Sequence, residues 1–221
     1  QALFIIHERS VAAPTAALHM TNKVIKKLKN KGITFEAVTL HVSAGTFKPV
    51  SAPNIGKHEM HSENMRVDRR FLETLINEST RHVVATGTTT LRTIESLYWL
   101  GTRYLKEKQL KDHHLSQWEP YQYQERDLPS FPEAYQGLLD YMKNKGLESI
   151  SASTQLIIVP GYRVQVADFL ITNFHMPKST LLMLVTACIG NGWKEVYEYA
   201  MDNGFRFLSY GDGCLFRIER G

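Results

Sequence analysis

The chain has 221 residues, 43% of them hydrophobic and 22% charged, a balance that excludes a disordered chain and leaves material for a sizeable core. Its formal net charge of +4 suits a polyanionic partner without requiring one. Cys188 and Cys214 stand far apart with no Cys or His at ligand spacing, which argues against a zinc ribbon or a disulfide framework and for a reducing compartment. The longest apolar run, near Leu181, is about half the roughly 20 residues that a bilayer needs, so the chain reads as a soluble, cytoplasmic monomer with no membrane partner.

Gln1 to His7 enters directly as a strand with no initiator Met, as though something before it had been removed. Ser10 to Met20 is small and smooth, which suits a tight connection or a close approach to a ligand. Thr21 then caps a predicted helix through Asn30, with Gly32 as its stop. Its lysines, Lys23, Lys26, Lys27, Lys29 and Lys31, form a solvated face that could also touch phosphates.

Ile33 to Val42 alternates as a strand and runs into Ser43 to Pro49, a Gly-Thr loop at a strand end, where α/β proteins place ligands. His41 and Thr46 are candidates there. His58-Glu-Met-His-Ser-Glu63 puts two imidazoles and two carboxylates in a short stretch. On a helix His58 and His61 would share a face, but no third ligand follows, so no metal is expected. General acid or base work by His61 or Glu63 is the more useful hypothesis, since an imidazole and a carboxylate within reach tune each other.

Val67 to Ser79 reads as a helix burying Phe71, Leu72, Leu75 and Ile76. Strand His82 to Thr86, loop Gly87 to Thr90 and helix Leu91 to Leu100 follow, and the three threonines offer donors at the helix start. This is neither a P-loop nor a dinucleotide loop. Arg92 and Glu95, three residues apart, can share a helix face as an ion pair or as ligand groups.

From about 98 to 153 the text changes to aromatics mixed with Lys, Gln and Glu, with Pro129 and Pro132 before a helix ending at Gly146. It reads as an insertion that packs on itself within a single α/β domain spanning 1–221. Gln155 to Val159, the turn Pro160-Gly-Tyr162 and Arg163 to Thr172 form a predicted strand pair. Asn173, His175, Lys178, Ser179 and Thr180 then lie between that strand and an apolar helix from Leu181 to Ile189. The hydroxyls sit where the helix begins, so they serve either as an N-cap or beside a bound anion. A helix from Lys194 to Asn203 and a strand from Phe205 to Tyr210 close on Gly211-Asp-Gly213, where Asp212 could accept from a ligand hydroxyl. Four strand ends carrying polar loops argue for an α/β fold with one shared pocket.

The segments Val11 to His19, Val38 to Phe47, His58 to Glu63, Gly87 to Arg92, Ile171 to Leu182 and Phe205 to Asp212 resemble, in order, the motifs of the S-adenosylmethionine:tRNA ribosyltransferase-isomerase family of queuosine biosynthesis. Ala17 and Ser43 stand where that pattern has glycines, Met20 where it has an aromatic, and Gly213-Cys214 where it has Ala-Met. The region 98–153 is longer than expected. The resemblance implies a barrel-like large domain of mixed strands and helices, of which this chain looks like the C-terminal part, without the family's small β-barrel domain. It also implies a ribosyl transfer from S-adenosylmethionine to a 7-aminomethyl-7-deazaguanine at the tRNA wobble position. The product is epoxyqueuosine, with adenine and methionine released.

Such chemistry needs a base near C5′ beside the sulfonium, help for departing adenine and a neutral amine. The residues assigned by this expectation are His61 or His175 as base and Glu63 or Glu95 for the amine or ribose hydroxyls. Arg92 with Thr88 and Thr89 would hold an anionic group, methionine's carboxylate or a tRNA phosphate, and Lys178 with the lysine face would meet tRNA backbone. His41, Thr46, Asn173, Ser179, Thr180 and Asp212 complete the substrate-binding set. The competing class is a non-catalytic RNA- or nucleotide-binding domain; a methyltransferase is disfavoured by the lack of a glycine-rich strand-to-helix loop.

Overall fold

Thr21 opens the first helix as its side chain allows: its hydroxyl accepts from the Val24 N–H at 3.3 Å, and α1 runs Asn22–Asn30. Gly32 at φ 78° ends it. These features belong to a computed structural model that describes residues 15–41 and 55–219. The expected strand at 1–7 and the loop at 43–49, with Thr46, lie outside the described residues.

The alternation of Glu63-Asn-Met-Arg-Val-Asp68 makes a strand, β2 (Glu63–Asp68), with every second side chain buried. Glu63 therefore shares the core face with Met65 and Val67. Residues 58–62, before the strand, form no helix, and the start of the next helix, α2 (Arg69–Asn77), moves past Val67. Phe71 and Leu72 of α2 are buried, with Leu75 and Ile76 packed against the core. β1 (Thr39–His41) is shorter than the alternation from Ile33 predicts: it is the part that pairs with Asn64 to Arg66.

β3 (Val84–Thr86) leads through Gly87, at φ 96°, into α3 (Thr88–Glu107). The helix begins at the first threonine rather than at Leu91. Trp99, Leu115, Tyr135 and Leu138 of the 98–153 stretch belong to the common core. Gly101 of α3 lies so close to α4 (Phe131–Asn144) that a methyl group there would come 1.9 Å from the Ala134 carbonyl oxygen. The Tyr135 hydroxyl donates to the Ile94 carbonyl. β4 (His114–Leu115) and β5 (Ser149–Thr154) extend the sheet begun by β1 and β2, in the order β1-β2-β5-β4.

β6 (Phe169–Asn173) pairs parallel with β3 and antiparallel with β7 (Gly213–Arg217), giving the second sheet, β3-β6-β7. α5 (Thr180–Ile189) and α6 (Trp193–Asp202) fall where the sequence placed helices. Both sheets end in unpaired edges among the described residues, so the mixed α/β class holds while the barrel-like closure is not seen there. No described helix is long and apolar enough to cross a membrane.

Three extended apolar runs are not strands, and each has its backbone held by a side chain. Residues 155–159 give the Leu156 carbonyl to Arg92 Nε and the Ile157 carbonyl to the Tyr121 hydroxyl. Gln165 and Val166 give their N–H groups to the Glu95 carboxylate at 2.9 and 2.8 Å. Arg206 gives its N–H to Asp212 Oδ2 at 2.8 Å, and Leu208 turns to φ 67°. Buried backbone groups must find partners, and in the first two runs side chains distant in sequence supply some of them.

Candidate active site

The start of β2 and the first turn of α3 bring three predicted residues into one chain of charge. His61 Nε2 lies 2.8 Å from Glu63 Oε1, and Arg92 Nη1 lies 2.9 Å from Glu63 Oε2. Glu63 is 0% and Arg92 5% exposed. An ionised carboxylate only accepts, so His61 donates through Nε2 and leaves Nδ1 as its basic nitrogen. Burial lowers the Arg92 guanidinium from its ordinary value and Glu63 works against that fall.

The loop carrying His61 is fixed by amide side chains. Gln117 accepts from the Met60 N–H at 2.9 Å and donates to the His58 carbonyl at 2.7 Å. Gln155 donates to the Met60 carbonyl at 3.0 Å. Sequence reasoning missed both glutamines, and neither carries a local signal.

Arg92 also lines a cavity of about 20 Å³ with Thr88, Thr89, Thr180, Met60 and Leu184. α3 and α5 both start at this cavity. Ser179 caps α5, its hydroxyl accepting from the Leu182 N–H and donating to the Met176 carbonyl. α3 begins after Gly87, which has no side chain to cap it. Of the Arg92 nitrogens, Nε and Nη1 are engaged, while buried Nη2 has no hydrogen-bond partner among the described residues.

At the end of β6, Asn173 Nδ2 lies 3.2 Å from His19 Nε2 and 3.4 Å from the Gly211 carbonyl. Asn173 Oδ1 is buried and without a partner among the described residues. His19, which was not singled out from the sequence, fits because position 213 is glycine: a methyl group there would lie 3.0 Å from the His19 ring. The run of small residues before His19 was the available signal. His175 packs nearby, its Nε2 2.9 Å from Thr172 Oγ1 and its N–H on the Tyr197 hydroxyl. Burial draws the His175 pKa down to about 4, so the ring is neutral at ordinary pH.

Glu95 does not join this group and does not pair with Arg92. Its carboxylate accepts from the Tyr162 hydroxyl at 2.8 Å and from the Gln165 and Val166 N–H groups. Burial raises its pKa and those donors oppose the rise. Asp212 is bound by Arg206 through both guanidinium and backbone, which holds its carboxyl below the usual range. His41 sits half-buried in β1 opposite Asn64, and Lys178 is exposed at φ 60°. Among the described residues no three His, Cys, Asp or Glu side chains gather as metal ligands.

A family model described as queuosine biosynthesis protein matches residues 1–216. The chain is 38% identical over 219 residues to a protein of Rickettsia akari (strain Hartford), covering 97% of this chain and 47% of that one. It is 39% identical over 216 residues to one of Psychrobacter sp. (strain PRwf-1), covering 96% and 44%. Both relatives are named S-adenosylmethionine:tRNA ribosyltransferase-isomerase. A solved structure of S-adenosylmethionine tRNA ribosyltransferase from Thermotoga maritima aligns with TM-score 0.57 at 30% identity, covering 90% of this chain and 50% of that one. The chain thus spans about half the length of the curated relatives it matches. The ordered motifs, the mixed α/β fold and these matches together show that the chain belongs to the queuosine biosynthesis protein family.

Proposed function

We propose that the chain carries the reacting centre of an S-adenosylmethionine:tRNA ribosyltransferase-isomerase. In this reading the ribosyl group of S-adenosylmethionine is transferred and isomerised onto 7-aminomethyl-7-deazaguanine at the tRNA wobble position, giving epoxyqueuosine and releasing adenine and methionine. The observation that carries it is the His61–Glu63–Arg92 chain, in which an imidazole 18% exposed is oriented by a fully buried carboxylate that also pairs with Arg92 on the wall of a cavity.

His61 Nδ1 is the base for the C5′ proton next to the sulfonium, and Glu63 steadies the imidazolium that results. His175, with its low proton affinity, is the weaker choice for that step and serves as a neutral hydrogen-bonding group. Asn173 Oδ1 accepts from a ribose hydroxyl or the tRNA amine. Glu95 is left to the core, since its oxygens are held by Tyr162 and the 165–166 backbone. Lys178 and the exposed lysines of α1 meet tRNA phosphates in the cytoplasm.

The test is adenine release on incubation with S-adenosylmethionine and tRNA bearing the aminomethyl-deazaguanine base, by this chain and by one extended to its relatives' full length. Release by either that His61→Gln abolishes supports the reading. No release by both overturns it in favour of a non-catalytic RNA-binding domain.

A further inference from the structure

The cavity between α3 and α5 gathers more positive character than the groups around it use. Arg92 and Glu63 cancel as a pair at 2.9 Å. What remains is the start of two helices, each worth roughly half a positive charge, so about one unit together. Thr88 and Thr89 of α3 and Thr180 of α5 stand on the cavity wall. Gly87 leaves α3 without a capping side chain, so the first-turn N–H groups there have no side-chain oxygen to take them. The independent sign of a ligand is Arg92 Nη2, a guanidinium nitrogen of a 5% exposed residue on the same wall with no partner among the described residues. A buried cationic donor without an acceptor is costly, and an anion would satisfy it.

Charge and lining decide which anion. About one unit of unused positive character suits a singly charged carboxylate better than a doubly charged inorganic phosphate. Met60, Leu181 and Leu184 make the remaining wall apolar, as a short aliphatic stem behind the carboxylate would need. We propose that the cavity between the N-termini of α3 and α5 is a carboxylate site, built on Arg92 Nη2, Thr88, Thr89 and Thr180, that seats the carboxylate of the methionine moiety of S-adenosylmethionine. The choice of this carboxylate rests on the reaction proposed above; the site itself does not.

Two measurements on the unmodified chain separate the claims. The backbone amide NMR signals of Thr88 and Thr89 are followed at constant ionic strength during titration with acetate and, separately, with inorganic phosphate. Saturable shifts with acetate and none with phosphate are expected. No response to acetate, or an equal response to phosphate, overturns the carboxylate site whatever the adenine assay gives. Calorimetry then compares S-adenosylmethionine with its decarboxylated analogue, with at least tenfold weaker binding expected for the analogue and a smaller gap in Thr88→Val. Equal binding of the two compounds overturns the methionine assignment. An acetate response in a chain that releases no adenine at any length sustains the site and overturns the reaction.

Discussion

Arg92 and Glu95 stand one turn apart on α3, yet each faces a different partner: Arg92 Nη1 meets Glu63 at 2.9 Å, and Glu95 Oε2 takes the Tyr162 hydroxyl at 2.8 Å. Helix spacing brings opposite charges near each other, but burial made two separate networks from what would be one ion pair on a surface. One network reaches the proposed reacting centre and the other fastens the core, which makes their substitutions separable.

Glu63→Ala leaves the Arg92 guanidinium buried without its counter-charge and His61 without its orienting acceptor. Breaking such a pair costs about 3–5 kcal/mol, read by urea unfolding. A double substitution Glu63→Leu with Arg92→Met recovers most of that stability while adenine release stays down by roughly 10²-fold or more. Recovery of both together would show that the pair serves the fold alone.

Glu95→Ala acts on the other network. It strands the Tyr162 hydroxyl, the buried Val166 N–H and the half-buried Gln165 N–H, at about 1–3 kcal/mol for each buried group left unpaired. Adenine release per folded molecule stays near wild type. A large loss of turnover in protein shown to be folded by circular dichroism would return Glu95 to the catalytic set.

His175 gives the chain a pH dependence of known sign. Its pKa is drawn down to about 4 from 6.5 by burial, so the unfolded chain binds a proton there that the folded chain refuses. Stability fully present above pH 6.5 is therefore lost as pH falls toward 4, on the order of 3 kcal/mol at the limit. His175→Gln removes this contribution, so the difference between the two unfolding curves across that window isolates it. Parallel curves would contradict the assignment.

Gly101→Ala would put a methyl group 1.9 Å from the Ala134 carbonyl oxygen. The helices must part, at a cost of about 1–3 kcal/mol and a fall in melting temperature of at least roughly 2 °C. An unchanged melting temperature would mean that α3 and α4 do not pack at this distance.

What could be read from the sequence was whatever local chemistry decides. Thr21 capped α1, Gly87 turned β3 into α3, and the apolar run after Ser179 became α5. β2 escaped because Glu63 occupies a core-facing position where the alternation needed an apolar residue, so the strand looked too polar. The runs at 155–159, 163–168 and 205–210 have the composition of strands, but Arg92, Tyr121, Glu95 and Asp212 hold their backbone. For the first two runs the partner is far away in sequence, and no local pattern records it. The candidate site divides the same way. Glu63, Arg92 and the threonines were visible as residue types at loop ends, whereas His19, Gln117 and Gln155 act through contacts that only the fold creates.

The grip of Gln117 on the His58 carbonyl and the Met60 N–H also bears on how this protein can be re-engineered. Gln117 lies in the stretch that most invites trimming, and Arg103 anchors that stretch to α3 through both oxygens of Glu119. A shortened or transplanted version of the stretch that kept every core contact but lost this one amide would still produce a folded chain. The His61 imidazole proposed as the base would then stand on an unfastened loop, and the defect would surface as lost turnover rather than as lower yield or a lower melting temperature.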